Sequence, residues 1–147
     1  MTDHVAHAET EISAAPQQVW DALTDADAIA QFMFGARVET DWEEGSTITW
    51  TGEYDGKTYQ DKGEILEVAE SRRLRLTHYS PLSGEDDVPE NYHTLDYRLA
   101  DEGDKTRLTL DQDGNDSEEQ AEQFAGNWQA MLDNLKSYVE EGRGAQL

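Results

Sequence analysis

The spacing of apolar positions changes several times along this chain. The opening stretch HVAHAETEISA alternates weakly between polar and apolar residues, which predicts a strand from about Val5 to Ser13 whose polarity suits a sheet edge. In AAPQQVWDALTD, Pro16 sits where a first helical turn accepts it, and Val19, Trp20 and Leu23 share one face. DADAIAQFMFG follows, with Asp25 placed to cap a second short helix, an Ile29/Phe32/Met33 face, and Gly35 to stop it. Trp20 and Trp42 read as structural, packing these helices against a sheet.

From Arg37 to Asp113 the pattern is that of strands, rich in Ile, Val, Leu, Thr, Tyr and Trp. Asp55-Gly56 lies between two alternating runs and is the strongest hairpin signal, because both turn residues need positive φ. Further turns are marked by Glu70-Ser71 and Asp101-Glu102-Gly103. After Gly114 a helical period takes over. Ser117 and Gln120 form a capping box, and Ala121, Phe124, Ala125, Trp128, Met131, Leu132, Leu135 and Val139 lie on one stripe. The helix is predicted over roughly Ser117 to Glu141, with Gly142 as its end. The order is strand, two short helices, about six strands and one long helix: an α+β fold with a curved antiparallel sheet packed on the C-terminal helix.

The 147 residues carry no internal repeat or linker and read as one domain, 1–147. They contain no cysteine, which removes disulfides and thiolate chemistry. With 33 acidic against 11 basic residues the formal charge is −22. Such a surface repels nucleic acid and anionic lipid, so neither is an expected partner. The acids are scattered along the chain, which reads as a solvated surface suited to high salt, where screening relieves self-repulsion. The start has no basic and apolar leader pattern, and no run of eighteen apolar residues occurs. The expectation is a soluble, cytoplasmic protein without membrane insertion.

APQQVWDALTDADAIAQF, YQDKGEILEV and NWQAMLDNLKSYVE, in this order and spacing, resemble the helix-grip domains of the START/SRPBCC superfamily. FMFGARVETDWEEGSTITWTGEY and YSPLSGEDDVPENYH are similar to bacterial single-domain members of the branch named for the Hsp90 ATPase activator's C-terminal domain. The resemblance covers roughly residues 8–140. It implies a sheet of about six strands gripping the long helix, often with a cavity between them for an apolar or amphipathic ligand. It does not imply one chemistry, because members include carriers, cyclases and the Hsp90 co-chaperone.

Strand registers suggest which side chains would line such a cavity. A two-residue loop at Asp55-Gly56 pairs Tyr54 with Lys57, Gly52 with Tyr59 and Trp50 with Asp61, placing Ile48, Trp50, Tyr59, Asp61 and Gly63 on one face. Leu66 and Val68 also look inward, and a bulge near Ile65-Leu66 would reconcile them with Ile65. If SPLSGEDDVPENYH simply reverses the chain, Ser80 lies opposite Asn91, His78 opposite His93, Leu76 opposite Leu95 and Leu74 opposite Tyr97. Two imidazoles then meet at one end of the inner face, with Trp128 and Met131 above them on the helix. The expected ligand-binding set is Trp50, Tyr59, Asp61, His78, His93, Tyr97, Trp128 and Met131. The acidic run Glu85-Asp86-Asp87 reads as a solvated loop tip, and His4 and His7 read as incidental.

Three functional classes remain open. The leading one is a module that binds a small hydrophobic molecule, with polar groups at one end choosing among ligands. A cyclase- or hydratase-like enzyme would use His78 or His93 as general acid or base, yet no nucleophile with an adjacent base is legible. A protein-interaction role, including assistance to an Hsp90-type chaperone, is the third. No HxxxH or HxH spacing supports a metal site, and neither metal nor cofactor is expected.

Overall fold

The structure, a computed structural model, describes residues 4–33, 35–54, 56–81, 86–115 and 117–145. Strand β1 (His4–Ile12) leads into helices α1 (Pro16–Leu23) and α2 (Ala26–Phe32). Six strands follow: β2 (Arg37–Glu39), β3 (Thr47–Tyr54), β4 (Lys57–Ala69), β5 (Arg73–His78), β6 (His93–Asp101) and β7 (Thr106–Asn115). Helix α3 (Glu118–Ala145) closes the chain. The strands form one seven-stranded antiparallel sheet in the order β1-β7-β6-β5-β4-β3-β2.

Local chemistry accounts for most element ends. Pro16 opens α1, and the Asp25 carboxylate accepts from the Ala28 amide at 2.9 Å to cap α2. Gly35, at φ 87°, reverses the chain after α2. Ser117 Oγ accepts from the Gln120 amide at 3.0 Å at the start of α3. Gly142 does not end that helix, which continues to Ala145. A glycine in a helix costs only about 1 kcal/mol relative to alanine, too little to stop one by itself.

The hairpin register is the one predicted, with Tyr54 opposite Lys57, Gly52 opposite Tyr59 and Trp50 opposite Asp61. Gly56 of the turn has φ 78°; Asp55 lies outside the described residues. Leu74 faces Tyr97, Leu76 faces Leu95 and His78 faces His93, as expected. The ladder stops there. Ser80 does not extend it to Asn91, because Asn91 closes a 3-10 turn over Pro89–Asn91 and Tyr79 bridges instead to Lys62 of β4.

The connection between β5 and β6 is pinned to the outer face of the sheet. Lys62 forms an ion pair with Asp87, the Tyr92 hydroxyl donates to Asp87 at 2.6 Å, and the Tyr79 and Tyr92 rings stack at 5.2 Å. Asp86 and Asp87 are exposed, as expected of a solvated run, and Asp87 also anchors the connection; Glu85 of the same run lies outside the described residues.

Strand β4 serves two partners and bends between them. Its first half pairs with β3 and its second with β5, and the register shifts between Ile65 and Glu67. The predicted bulge is present, but it points Leu66 outward, where it is 39% exposed, while Ile65 is fully buried. At the bend, a Cβ on Gly63 would overlap the carbonyl oxygen and carbon of Thr77. Only glycine allows β5 to approach so closely.

Helix α3 lies along β1 and seals its free edge. Gln129 accepts from the Glu9 amide and donates to the Glu9 carbonyl, Lys136 donates to the Glu11 carbonyl, and Glu140 accepts from the Ser13 amide. Backbone groups that would otherwise template another strand are thus occupied. Met131, Leu132, Leu135 and Val139 enter one core with Ile12 and Ala8 of β1, Leu108 and Leu110 of β7, and Trp20, Ile29 and Phe32 of the short helices. Trp42 packs against that core, and Trp20 is part of it, as expected of structural residues.

The outer face carries a chain of ion pairs across four strands. Arg73 grips Asp96 through two hydrogen bonds, Arg98 pairs with Asp111, and Arg107 bridges Glu9, Glu11 and Glu102. His7 belongs to this chain rather than being incidental. Hydrogen bonds to Glu9 and Asp111 raise its pKa above the ordinary value of 6.5.

Gly63→Ala should destabilise the protein by about 3 kcal/mol, because the clash is with backbone and has no side chain to yield. Gly126→Ala, where a Cβ meets nothing within 4 Å, should be neutral or stabilising by about 0.5–1 kcal/mol. Urea unfolding of both variants checks the pair; a neutral Gly63→Ala would contradict the bend.

Candidate functional site

The inner face of the sheet is apolar at one end and polar at the other. Alternation puts Leu74, Leu76 and His78 of β5 on this face, beside Leu95, Tyr97 and Leu99 of β6 and Trp50 of β3. Leu76 and Leu95 are each 2% exposed, and Trp50 and Tyr97 each 6%. The polar end is built where β4 bends.

Lys62 and Tyr79 exchange backbone hydrogen bonds at 3.0 and 2.8 Å, which sets Asp61 diagonally across from His78. His78 Nε2–H donates to Asp61 Oδ2 at 2.8 Å, and both side chains are largely buried. The Trp50 ring meets the imidazole edge-on, with centroids 5.0 Å apart and planes at 68°. Asp61 Oδ1 is buried and has no hydrogen-bond partner among the described residues. Tyr59, two residues along the same strand, has its hydroxyl pKa pushed up by burial and then by the Asp61 charge. Its hydroxyl fills the space beside Gly52, 2.6 Å from where a Cβ would stand.

His93 occupies the register position opposite His78 but leans the other way. Its Nδ1–H donates to the Asp113 carbonyl of β7 at 2.7 Å, and its ring lies 6.1 Å from that of Phe124 on α3. Gly114 makes the room, since a Cβ there would stand 3.1 Å from Nδ1. The two imidazoles are therefore neighbours in backbone register, each committed to a different neighbouring strand. Tyr97 is buried in the core, and that burial raises its pKa. Met131 is 2% exposed in the same core.

Trp128 is half-buried, and its indole N–H donates to the side-chain carbonyl of Gln112 on β7. Gln112, only 1% exposed, is a polar residue that the sequence reading missed. The signal was its parity with Leu108 and Leu110, which places it on the core face. Of the eight predicted residues, the structure brings Trp50, Tyr59, Asp61 and His78 into one group. His93 and Trp128 stand on the β7 side, and Tyr97 and Met131 lie in the core.

Clefts of about 680 Å³ beside Trp42, Glu39 and Asp41, and of about 530 Å³ beside Lys62, Thr77 and Tyr92, are lined by none of Trp50, Tyr59, Asp61 and His78. Among the described residues no cluster of three or more His, Cys, Asp or Glu is arranged to hold a metal ion, and no helix is long and apolar enough to cross a membrane.

An antiparallel sheet holding a long C-terminal helix, with two short helices after the first strand, defines the helix-grip class. The chain belongs to the family described as Activator of Hsp90 ATPase homolog 1-like protein, which it matches over residues 13–140. It is similar to the solution structure of ChR145 from Cytophaga hutchinsonii, at 40% identity over 96% of this chain and 97% of that one, with a TM-score of 0.83. It shares its fold with DynU16, a protein of the dynemicin biosynthetic locus, at 21% identity over 94% of this chain and 48% of that one, TM-score 0.77. It also shares its fold with the Aha1 dimer of Colwellia psychrerythraea, at 16% identity over 93% and 96% of the two chains, TM-score 0.72. Among curated proteins none matches.

The Asp61–His78 pair should behave as a unit. His78→Leu leaves a buried carboxylate with neither oxygen partnered and should cost about 2–3 kcal/mol, somewhat less than for a fully enclosed pair. Adding Asp61→Leu should recover part of that loss. A double-mutant cycle by urea unfolding checks the coupling; strictly additive effects would contradict the pairing.

Proposed function

We propose that this protein binds a small, largely apolar molecule between the inner face of its sheet and α3, with Asp61 and His78 orienting one end of it. The observation that carries this reading is a hydrogen-bonded Asp–His pair set into an aromatic and aliphatic face rather than at the surface. Burying such groups costs stability, and a core meant only to fold would be served better by apolar side chains. Ligand sites commonly pair an apolar wall with a few convergent polar groups. The path of α3 supports it too. The helix follows the β1 edge and leaves the inner faces of β3, β4 and β5 to be covered by side chains, which can rearrange more easily than backbone.

Trp50 and Tyr59 form the aromatic wall in this reading, while Leu76, Leu95, Tyr97 and Met131 form the apolar floor. Trp128 and His93 bound the site on the β7 side. Affinity would come from apolar area removed from water, at about 25 cal/mol per Å² before ordering costs. The fold shared with a protein of the dynemicin biosynthetic locus is compatible with a small-molecule role. The pair favours that role over chaperone assistance, because a docking surface for another protein makes little use of a carboxylate that is largely buried.

Native mass spectrometry of the purified protein beside a denatured control tests the proposal. A defined added mass that disappears on denaturation, or saturable uptake of neutral aromatic probes that weakens at least tenfold in Trp50→Ala, is the expected result. Protein that carries no added mass and takes up no such probe would contradict it.

A further inference from the structure

Two buried side-chain oxygens have no hydrogen-bond partner among the described residues, Asp61 Oδ1 and Asn115 Oδ1. They are not equivalent. Asn115 is a neutral amide at the end of β7, and its Nδ2 already donates to the carbonyls of His4 and Gln112. Asp61 is an acidic side chain, and leaving a carboxylate oxygen unsatisfied in a buried place costs more than leaving an amide oxygen so. The neighbouring groups do not relieve it. Trp50 presents its ring to His78, and His78 spends its Nε2–H on Asp61 Oδ2. Gly63, the next residue of β4 on this face, has no side chain to offer.

A carboxylate can only accept hydrogen bonds. Whatever completes this group must therefore donate one. Resting on the ligand-binding reading above, we infer that the ligand is a neutral aromatic molecule bearing a hydroxyl or N–H group that donates to Asp61 Oδ1. Its ring lies against Trp50 and Tyr59, and its donor meets the one oxygen that the protein leaves unpaired in this pair. The same geometry discriminates. A carboxylate- or phosphate-headed ligand would bring negative charge against Asp61 in a chain of formal charge −22. A ligand with only acceptor atoms, such as an ether, would leave Oδ1 unpaired and set two acceptors facing each other. Asp61 is thus the specificity-determining residue, and His78 positions it.

The test compares three probes with one ring system: 2-naphthol, which donates; 2-methoxynaphthalene, which only accepts; and 2-naphthoate, which is anionic. Isothermal titration with the full chain at neutral pH should find 2-naphthol binding about tenfold or more tighter than the other two, as expected for one hydrogen bond to a charged group. Asp61→Asn keeps the shape but turns a side-chain amide N–H toward the ligand while its oxygen still accepts from His78. In that variant 2-methoxynaphthalene should match or overtake 2-naphthol, with the melting temperature confirming a folded protein. Equal binding of all three probes by the unmodified protein would overturn this inference while leaving the ligand-binding reading intact. Binding of none would overturn both.

Discussion

A single close approach between two strands organises the polar end of this protein. At Gly63 the Thr77 carbonyl occupies the place where any other residue would carry its Cβ. That contact lets β4 leave β3 and turn onto β5, with a bulge at Ile65–Glu67 completing the change of partner. The close approach brings β5 beside β4, and the Asp61 carboxylate reaches diagonally across to His78. The hairpin and the central strands would form with many sequences. The meeting of Asp61 and His78 depends on this glycine.

The second constraint comes from the other edge of the sheet. Gln129, Lys136 and Glu140 bind backbone groups of β1, so α3 is held beside the edge strand by polar contacts as well as by its apolar stripe. A helix fixed there lies over β1 and its neighbour β7, where the Trp128 indole donates to Gln112. Sheet and helix are thereby joined firmly at one side. At the other side the inner face is lined by aromatic rings and the hydrogen-bonded Asp61–His78 pair. This asymmetry is the structural basis for reading that side as the ligand end. The charged ladder on the outer face, from Arg73 through Asp96, Arg98 and Asp111 to His7 and Arg107, gives an acidic chain local charge balance where its strands are most crowded.

Backbone pairing was legible in the sequence because short-range rules determine it. Asp55-Gly56 specified the register that sets Trp50 opposite Asp61, and matching apolar parity in RRLRLTHYS and NYHTLDYRLA set His78 opposite His93. What register cannot specify is which neighbour a side chain chooses. His78 turns to β4 and His93 to β7, a choice made by Asp61 on one side and by the Asp113 carbonyl and Gly114 on the other. Leu66 was misplaced because the bulge needed locating to a single residue. Gln112 is polar, yet its alternation with Leu108 and Leu110 puts it inside. The anchoring role of the exposed Asp87 is not legible because its partner, Lys62, lies twenty-five residues away in sequence.

His78 is held by Asp61 at the polar end of the inner face, while His93 belongs to a separate group. Long-range proton–nitrogen NMR of the imidazole rings tests it most directly. The expected result is a proton on Nε2 of His78 and on Nδ1 of His93, with Asp61→Asn shifting the His78 signals and leaving those of His93 in place. A His78 ring with bare Nε2, or one indifferent to Asp61→Asn, would contradict it.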